Sequence, residues 1–224
     1  MSMRQRSILL VGTSNLRRLR LDQHHLLRSV VKIQQIIFRN HINSEELKEK
    51  LQEHNWIFDI TLIHSGNWLY PSQWHDGHLC LQPWNLETAA EHIRQLLKTI
   101  EPFSKLTIIT ETHPRILHAP RNCLSFNPII QSRFRKVINN LLLKRVLNHK
   151  VRFINCNKVI KDHFLKTGEG HIPWNLMALK FSERFLDPSE IHLNTAGNDI
   201  LQDLLVSQIL KIARNYFFYG HHVM

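Results

Sequence analysis

Two short stretches, far apart in the chain, hold the residue types that nucleophilic catalysis by a serine requires. Ser14 lies three residues after the end of the apolar run at 8–11, and His192 follows two acids, Asp187 and Glu190. A serine hydroxyl becomes a strong nucleophile when a histidine takes its proton and a carboxylate orients that histidine. Either acid is close enough in sequence to orient the ring of His192. The pattern predicts attack by Ser14 on an acyl carbon, with the choice of acid left open.

The same residues also have a simpler interpretation. Serine and asparagine are common at helix N-caps, and a helical pattern begins directly after Ser14 and Asn15. A histidine in a loop near acids is often only a solvated side chain. Capping by Ser14 or Asn15 is therefore the alternative for the first stretch.

A third stretch could supply hydrogen-bond donors to a developing negative charge. Gly66 and Asn67 follow an apolar run that ends at His64. The Asn67 side-chain amide, together with the backbone N–H of Ser14, could stabilise a tetrahedral oxyanion. The simpler alternative is that Asn67 is an ordinary turn residue.

Strands and helices alternate along the chain in a way that would bring these stretches together. Helical patterns cover residues 16–30 (with a break near Asp22), 45–53 (capped by Ser44), 86–100, 128–148 and 194–216. Short apolar or β-branched runs predict strands at 8–11, 31–38, 56–64, 105–110 and 151–155, and residues 70–85 are expected to form a loop. Such alternation indicates parallel βαβ units in a three-layer α/β/α sandwich with a five-stranded parallel sheet. Ligands of such folds bind at the carboxyl ends of the strands. We expect one domain over residues 1–224.

Composition limits the partners and the compartment. The net charge is +11, which favours polyanions such as nucleic acid or acidic lipid. Three scattered cysteines indicate a reducing, intracellular compartment, and the N-terminal apolar run is too short for a signal peptide. Candidate contacts to a polyanion are Arg17, Arg18, Arg20, Arg133 and Arg135, whose simpler interpretation is a set of solvated helix faces.

No cofactor is expected from the sequence. The histidines of Trp74-His75-Asp76-Gly77-His78, with His64 nearby, are too few for a convincing metal site, and an exposed turn explains them better.

Taken together, the motifs resemble those of the SGNH (GDSL-type) serine hydrolases. The Gly-Asp-Ser block of that family is matched by Gly12-Thr13-Ser14, with Thr13 in place of the aspartate. The Asp-x-x-His-Leu-Asn block is matched by Ile191-His192-Leu193-Asn194, with the acid displaced to Asp187 or Glu190 because Ser189 lies three residues before His192. Asn67 is the counterpart of the oxyanion asparagine. The glycine of the second block has no counterpart here.

This resemblance implies a flavodoxin-like fold and hydrolysis of a small ester through an acyl-enzyme, without a cofactor. It implies Ser14 as nucleophile, His192 as base and Asp187 as the preferred acid, with Glu190 as the alternative. Asn67, Gly66 and Asn15 would contact the oxyanion or substrate. A looser resemblance, to esterase modules of LINE-type retrotransposon and viral proteins, raises a second hypothesis. Under that hypothesis the chain is a degraded hydrolase that binds nucleic acid or acidic lipid.

Overall fold

A five-stranded, all-parallel sheet forms the centre of the protein. The computed structural model describes residues 6–39, 42–53, 57–64, 72–75, 78–81, 86–110, 137, 141, 150–187 and 192–219. The strands are β1 (Arg6–Gly12), β2 (Val31–Ile37), β3 (Phe58–His64), β4 (Ser72–His75), β5 (His78–Leu81), β6 (Ser104–Thr110) and β7 (Val151–Ile154). Strands β4 and β5 form a separate antiparallel pair.

The order of the strands is that of a doubly wound fold. Across the sheet they run β2-β1-β3-β6-β7, which is 2-1-3-4-5 when only the parallel strands are counted. This is the flavodoxin-like order, in which the chain switches direction between β1 and β3 and leaves a crevice at their carboxyl ends. Gly12 pairs with Ile37 at that edge, and His64 pairs with Thr110.

Helices cover both faces of the sheet. They are α1 (Ser14–Arg18), α2 (His25–Val30), α3 (Ser44–Glu53), α4 (Leu86–Ile100), α5 (Cys156–Lys166), α6 (Trp174–Phe185) and α7 (Thr195–Arg214), with short 3₁₀ turns at Leu21–Gln23 and Glu101–Phe103 and a π-helical turn at Asn215–Tyr219. The break expected near Asp22 is the first of these 3₁₀ turns. Helix α1 ends where Arg20 adopts a left-handed conformation (φ 46°), which is the usual way to stop a helix although glycine is the commoner residue there.

Side chains of the strands alternate between two cores, as the pleat requires. One core packs Leu9, Val11 and Ile63 against α3 and α4, and the other packs Ile8, Leu10 and Leu62 against α1, α2, α5, α6 and α7. Since helices lie on both sides of one sheet, the predicted three-layer α/β/α class is confirmed. The assignment of residues 1–224 to a single domain stays a prediction.

Two local expectations are wrong. Residues 70–85 are not all loop, because β4 and β5 form a hairpin in which His75 pairs with His78. Asp76-Gly77 stands between them, and Asp-Gly is a strong hairpin signal that the sequence already contained. The cap of α3 is Asn43, not Ser44: its Oδ1 accepts from the backbone N–H of Glu45 (2.9 Å) and of Glu46 (3.2 Å).

The predicted helix at 128–148 lies almost wholly outside the described residues. Within it, Val137 and Leu141 are helical and buried. Among the helices that the structure describes, none combines the length and the apolar character needed to cross a membrane.

Glu169 links the turn after α5 to α6. Its carboxylate accepts from Arg184 (Nη1–Oε2 2.7 Å, Nη2–Oε1 3.0 Å) and from Lys180 (Nζ–Oε1 3.2 Å). The hydrogen bonds from Arg184 and then Lys180 lower the pKa of Glu169 from its ordinary 4.5 to about 2. The cluster therefore stabilises the fold only while Glu169 is ionised.

We expect Glu169→Gln to lower stability at neutral pH, and the difference from the unmodified protein to narrow as pH falls. A carboxyl group with a depressed folded-state pKa contributes stability above its unfolded pKa, and this is lost as pH falls through the folded pKa. The window here runs from 4.5 down to about 2. Urea midpoints measured across this range test the prediction, with Glu49→Gln on the exposed side of α3 as the control. A gap between variant and parent that does not change with pH would contradict it.

Candidate active site

Ser14 is the first residue of α1 and is exposed at the carboxyl end of β1. The N-cap position belongs to Thr13, which has an extended backbone and makes no side-chain capping bond. The interpretation of Ser14 or Asn15 as the helix cap is therefore wrong, because both lie inside the first turn. The tight connection between β1 and α1 depends on Gly12, since a Cβ at this residue would lie 2.7 Å from Cβ of Leu16.

The Ser14 hydroxyl lies beside the imidazole of His192, 178 residues further along the chain. Ser14 Oγ and His192 Nε2 are 3.2 Å apart. The hydroxyl can donate to this nitrogen when the nitrogen carries no proton. This is the geometry that a histidine needs in order to take a proton from a nucleophilic serine.

A short antiparallel ladder determines the position of His192. Leu186 bridges Leu193, Asp187 N donates to His192 O (2.8 Å), and Asn194 N donates to Phe185 O (2.7 Å). These bonds place Asp187 directly opposite His192. Side chains of opposite residues in an antiparallel pair project to the same side, with Cβ atoms about 4.5–5.5 Å apart.

Arg18 connects the helix of the serine to the strand of the acid. Its Nη1 donates to Oδ2 of Asp187 at 3.1 Å, with the Arg18 side chain 47% exposed and that of Asp187 21% exposed. Arg18 lies one helical turn after Ser14, so one face of α1 carries both the hydroxyl and the guanidinium. The sequence places Arg18 among the candidate polyanion contacts and gives no sign of this ion pair.

The segment after His192 is fixed by the start of α7. Asn194 caps the helix: its Oδ1 accepts from Gly197 N (2.9 Å) and its Nδ2 donates to Arg184 O (2.9 Å). A Cβ on Gly197 would lie 2.6 Å from the carbonyl oxygen of Phe185 and 2.7 Å from its Cβ. Only glycine allows α7 to begin this close to the ladder.

Buried polar groups lie near the same edge. Asn15 is 6% exposed, and its buried Oδ1 has no hydrogen-bond partner among the residues that the structure describes. His64 and Thr110 are fully buried at the carboxyl ends of β3 and β6, with His64 Nδ1 2.6 Å from Thr110 Oγ1. This pair is not among the site residues predicted from the sequence, although a polar residue at the end of each of two apolar strands was the available signal.

Several predicted residues lie outside the part of the chain that the structure describes: Gly66, Asn67, Glu190, Arg133 and Arg135. Arg17 and Arg20 are exposed, and the Arg20 carbonyl accepts from Gln202 Nε2 (2.8 Å). Among the described residues, no three histidine, cysteine or acidic side chains are grouped closely enough to hold a metal ion.

Comparison with solved structures finds the same fold, although no protein-family model and no curated protein sequence matches the chain. YxiM of Bacillus subtilis superposes with a TM-score of 0.59 at 15% identity, over 93% of this chain and 57% of YxiM. A GDSL-like lipase of Bacteroides thetaiotaomicron gives 0.56 at 13% identity, over 93% of this chain and 89% of the lipase. Axe2, an acetylxylan esterase of Geobacillus stearothermophilus, gives 0.53 at 15% identity, over 91% of this chain and 94% of Axe2.

These likenesses show the fold of the chain. The α/β/α sandwich is that of the SGNH hydrolases, which the sequence motifs resembled. The chain spans only about 57% of YxiM, so that protein's remaining part has no counterpart in it. The looser resemblance to retrotransposon and viral modules stays a prediction.

Proposed function

We propose that the chain is a serine ester hydrolase with Ser14 as nucleophile and His192 as general base. The observation that carries the proposal is the 3.2 Å separation of Ser14 Oγ and His192 Nε2 at the carboxyl edge of the sheet. His192 takes the hydroxyl proton as Ser14 Oγ bonds to the acyl carbon of the ester. His192 then gives that proton to the departing alcohol. In the second half of the reaction His192 takes a proton from water as the water oxygen bonds to the acyl carbon, and it returns a proton to Ser14 Oγ as the acid product leaves.

Asp187 is our choice for the acid that orients His192. The backbone of Asp187 pairs with that of His192, and side chains of paired residues project to the same side of the ladder, which supports a role for Asp187 at the imidazole. Arg18 donates to Oδ2 of this carboxylate and links it to the helix that carries Ser14. Glu190 lies outside the described residues and remains the alternative acid.

The oxyanion would be held by backbone and side-chain donors around Ser14. The backbone N–H groups in the first turn of a helix have no acceptor within it, so those of Ser14 and Asn15 are available to a substrate oxygen. Asn67, with Gly66, is the proposed companion donor from the segment after β3. The side-chain oxygen of Asn15 is buried and has no hydrogen-bond partner among the described residues, which supports a position of this amide beside the bound substrate.

The names of the structural neighbours support an ester substrate with a small acyl group. They include a GDSL-like lipase and two acetylxylan esterases. The contact between Ser14 and His192 favours hydrolysis over the alternative of a fold that only binds a polyanion. No cofactor takes part in the proposed steps.

Labelling with a fluorophosphonate tests this function directly. We expect the probe to attach to Ser14, as identified by mass spectrometry of the labelled peptide, because only an activated serine displaces fluoride at a useful rate. The protein should also cleave p-nitrophenyl acetate faster than Ser14→Ala does. Ser29→Ala, which removes an exposed serine of α2, is the matched control and should keep both properties. Labelling of Ser14→Ala at the same rate would exclude the proposal.

A further inference from the structure

Two arginines flank Ser14 on the outer face of α1. With 3.6 residues per turn, Arg18 lies about 40° to one side of Ser14 around the helix axis, and Arg17 about 60° to the other. Leu16 is buried on the opposite face, and Asn15, about 100° from Ser14, is buried beyond Arg18. The exposed face therefore presents a guanidinium, a hydroxyl and a second guanidinium in order around the helix.

The two arginines differ in what they contact. Arg18 is held by Asp187, and His192 contacts Ser14 from the same ladder. Arg17 is exposed and makes no ion pair or side-chain hydrogen bond with any residue of the described ranges. Since the base occupies one side of the hydroxyl, an acyl carbon must approach from another. Arg17 lies on the other side of Ser14 around the helix axis from Arg18.

A third cation lies at the same edge of the sheet. Ile37 pairs with Gly12, and Phe38 N donates to Gly12 O (2.8 Å), so Arg39 follows β2 where Ser14 follows β1. Arg39 is exposed and, within the described part of the chain, has no ionic partner. Two guanidinium groups without an ionic partner among the described residues, at the sheet edge that carries Ser14, raise the positive potential there, in a chain whose net charge is +11.

We infer that the ester cleaved at Ser14 carries an anionic group, and that Arg17 binds this group. The inference rests on the proposed function, and it adds the substrate class: an ester with a carboxylate, sulfate or phosphate near the acyl carbon. Residues three apart on a helix have Cβ atoms about 5–6 Å apart, so the anion would lie roughly one aromatic ring away from the reacting carbonyl. Arginine suits the role because its planar fork binds such groups in two places.

A pair of esters matched in shape tests the inference. The probes are 4-acetoxybenzoate, which carries a carboxylate across the ring from the ester, and its neutral methyl ester. The measured quantity is the ratio of kcat/KM for the anionic probe to kcat/KM for the neutral one. We expect Arg17→Gln to lower this ratio about three- to tenfold, as for the loss of one partly solvated charge contact. Arg17→Glu should lower it further, and Arg17→Lys should restore part of it.

The matched control is Arg28→Gln, which removes an exposed arginine from α2 and should leave the ratio unchanged. Raising the salt concentration from about 0.05 M to about 0.5 M should lower the ratio in the unmodified protein, because the screening length falls below 5 Å. If both esters are cleaved and Arg17→Gln does not change the ratio of kcat/KM values, the inference is overturned while the proposed hydrolase function is retained. If neither ester is cleaved faster than by Ser14→Ala, the proposed function and the inference are both overturned.

Discussion

Replacing His192 with alanine is expected to lower kcat for p-nitrophenyl acetate by about 10³-fold or more, because the Ser14 hydroxyl then loses the imidazole that lies 3.2 Å from it. Ser14→Ala should cause a loss of similar size. The double variant should have a kcat only slightly lower than that of either single variant, since the effects of residues that act as one unit are not additive. The rate that remains would come from the oxyanion donors and from binding.

This result distinguishes catalysis from a structural role of His192. Thermal unfolding of each variant shows whether the fold survives, and His171→Ala removes another histidine, exposed in the turn between α5 and α6, as the control. Two losses that multiply in the double variant would mean that Ser14 and His192 act independently. A His192→Ala variant that keeps most of the activity would exclude it as the base.

The second large effect is expected at Gly197. A methyl group there would collide with the backbone of Phe185, and a backbone atom cannot move aside as the end of a side chain can. We expect Gly197→Ala to lower the free energy of unfolding by about 1–3 kcal/mol, although alanine normally favours a helix. Because Phe185 begins the ladder that carries Asp187, we also expect a fall in kcat.

Urea unfolding and ester cleavage measured on the same variant test both parts. Ser207→Ala places the same residue at an exposed position of the same helix and should leave both unchanged. An unaltered urea midpoint for Gly197→Ala would show that α7 can shift at no cost. A lower midpoint with unaltered kcat would show that the ladder does not depend on this packing.

The fold was predictable because its signals are local. Each buried strand is a short apolar run, and α4 follows its 3.6-residue pattern so closely that its predicted bounds and observed bounds, Leu86–Ile100, agree. Ser14 and His192 could be predicted as site residues because both lie in sequence blocks that resemble those of a known family. That they would meet followed from the rule that the carboxyl ends of parallel strands share one edge.

The remaining features depend on contacts between distant residues. Nothing in the spacing of Arg18 indicates an ion pair with a residue 169 positions away, and the +11 charge suggested a solvated or polyanion-binding role instead. Asn43 and Ser44 are both good caps by type, and only the backbone decides which one begins the helix. Spacing along the chain leaves both Asp187 and Glu190 open as the acid, because it says little about which residues face each other in a ladder.

The ladder between Phe185 and Asn194 makes Asp187 and His192 a local unit, whose backbone geometry is set by pairing between two segments and not by the number of residues between them. The four residues from Pro188 to Ile191 could then lengthen or shorten during evolution while Asp187 and His192 keep facing each other. A search for distant relatives that requires a fixed number of residues between acid and histidine would therefore miss chains built like this one. A search for two pairing segments joined by a loop of variable length would detect them.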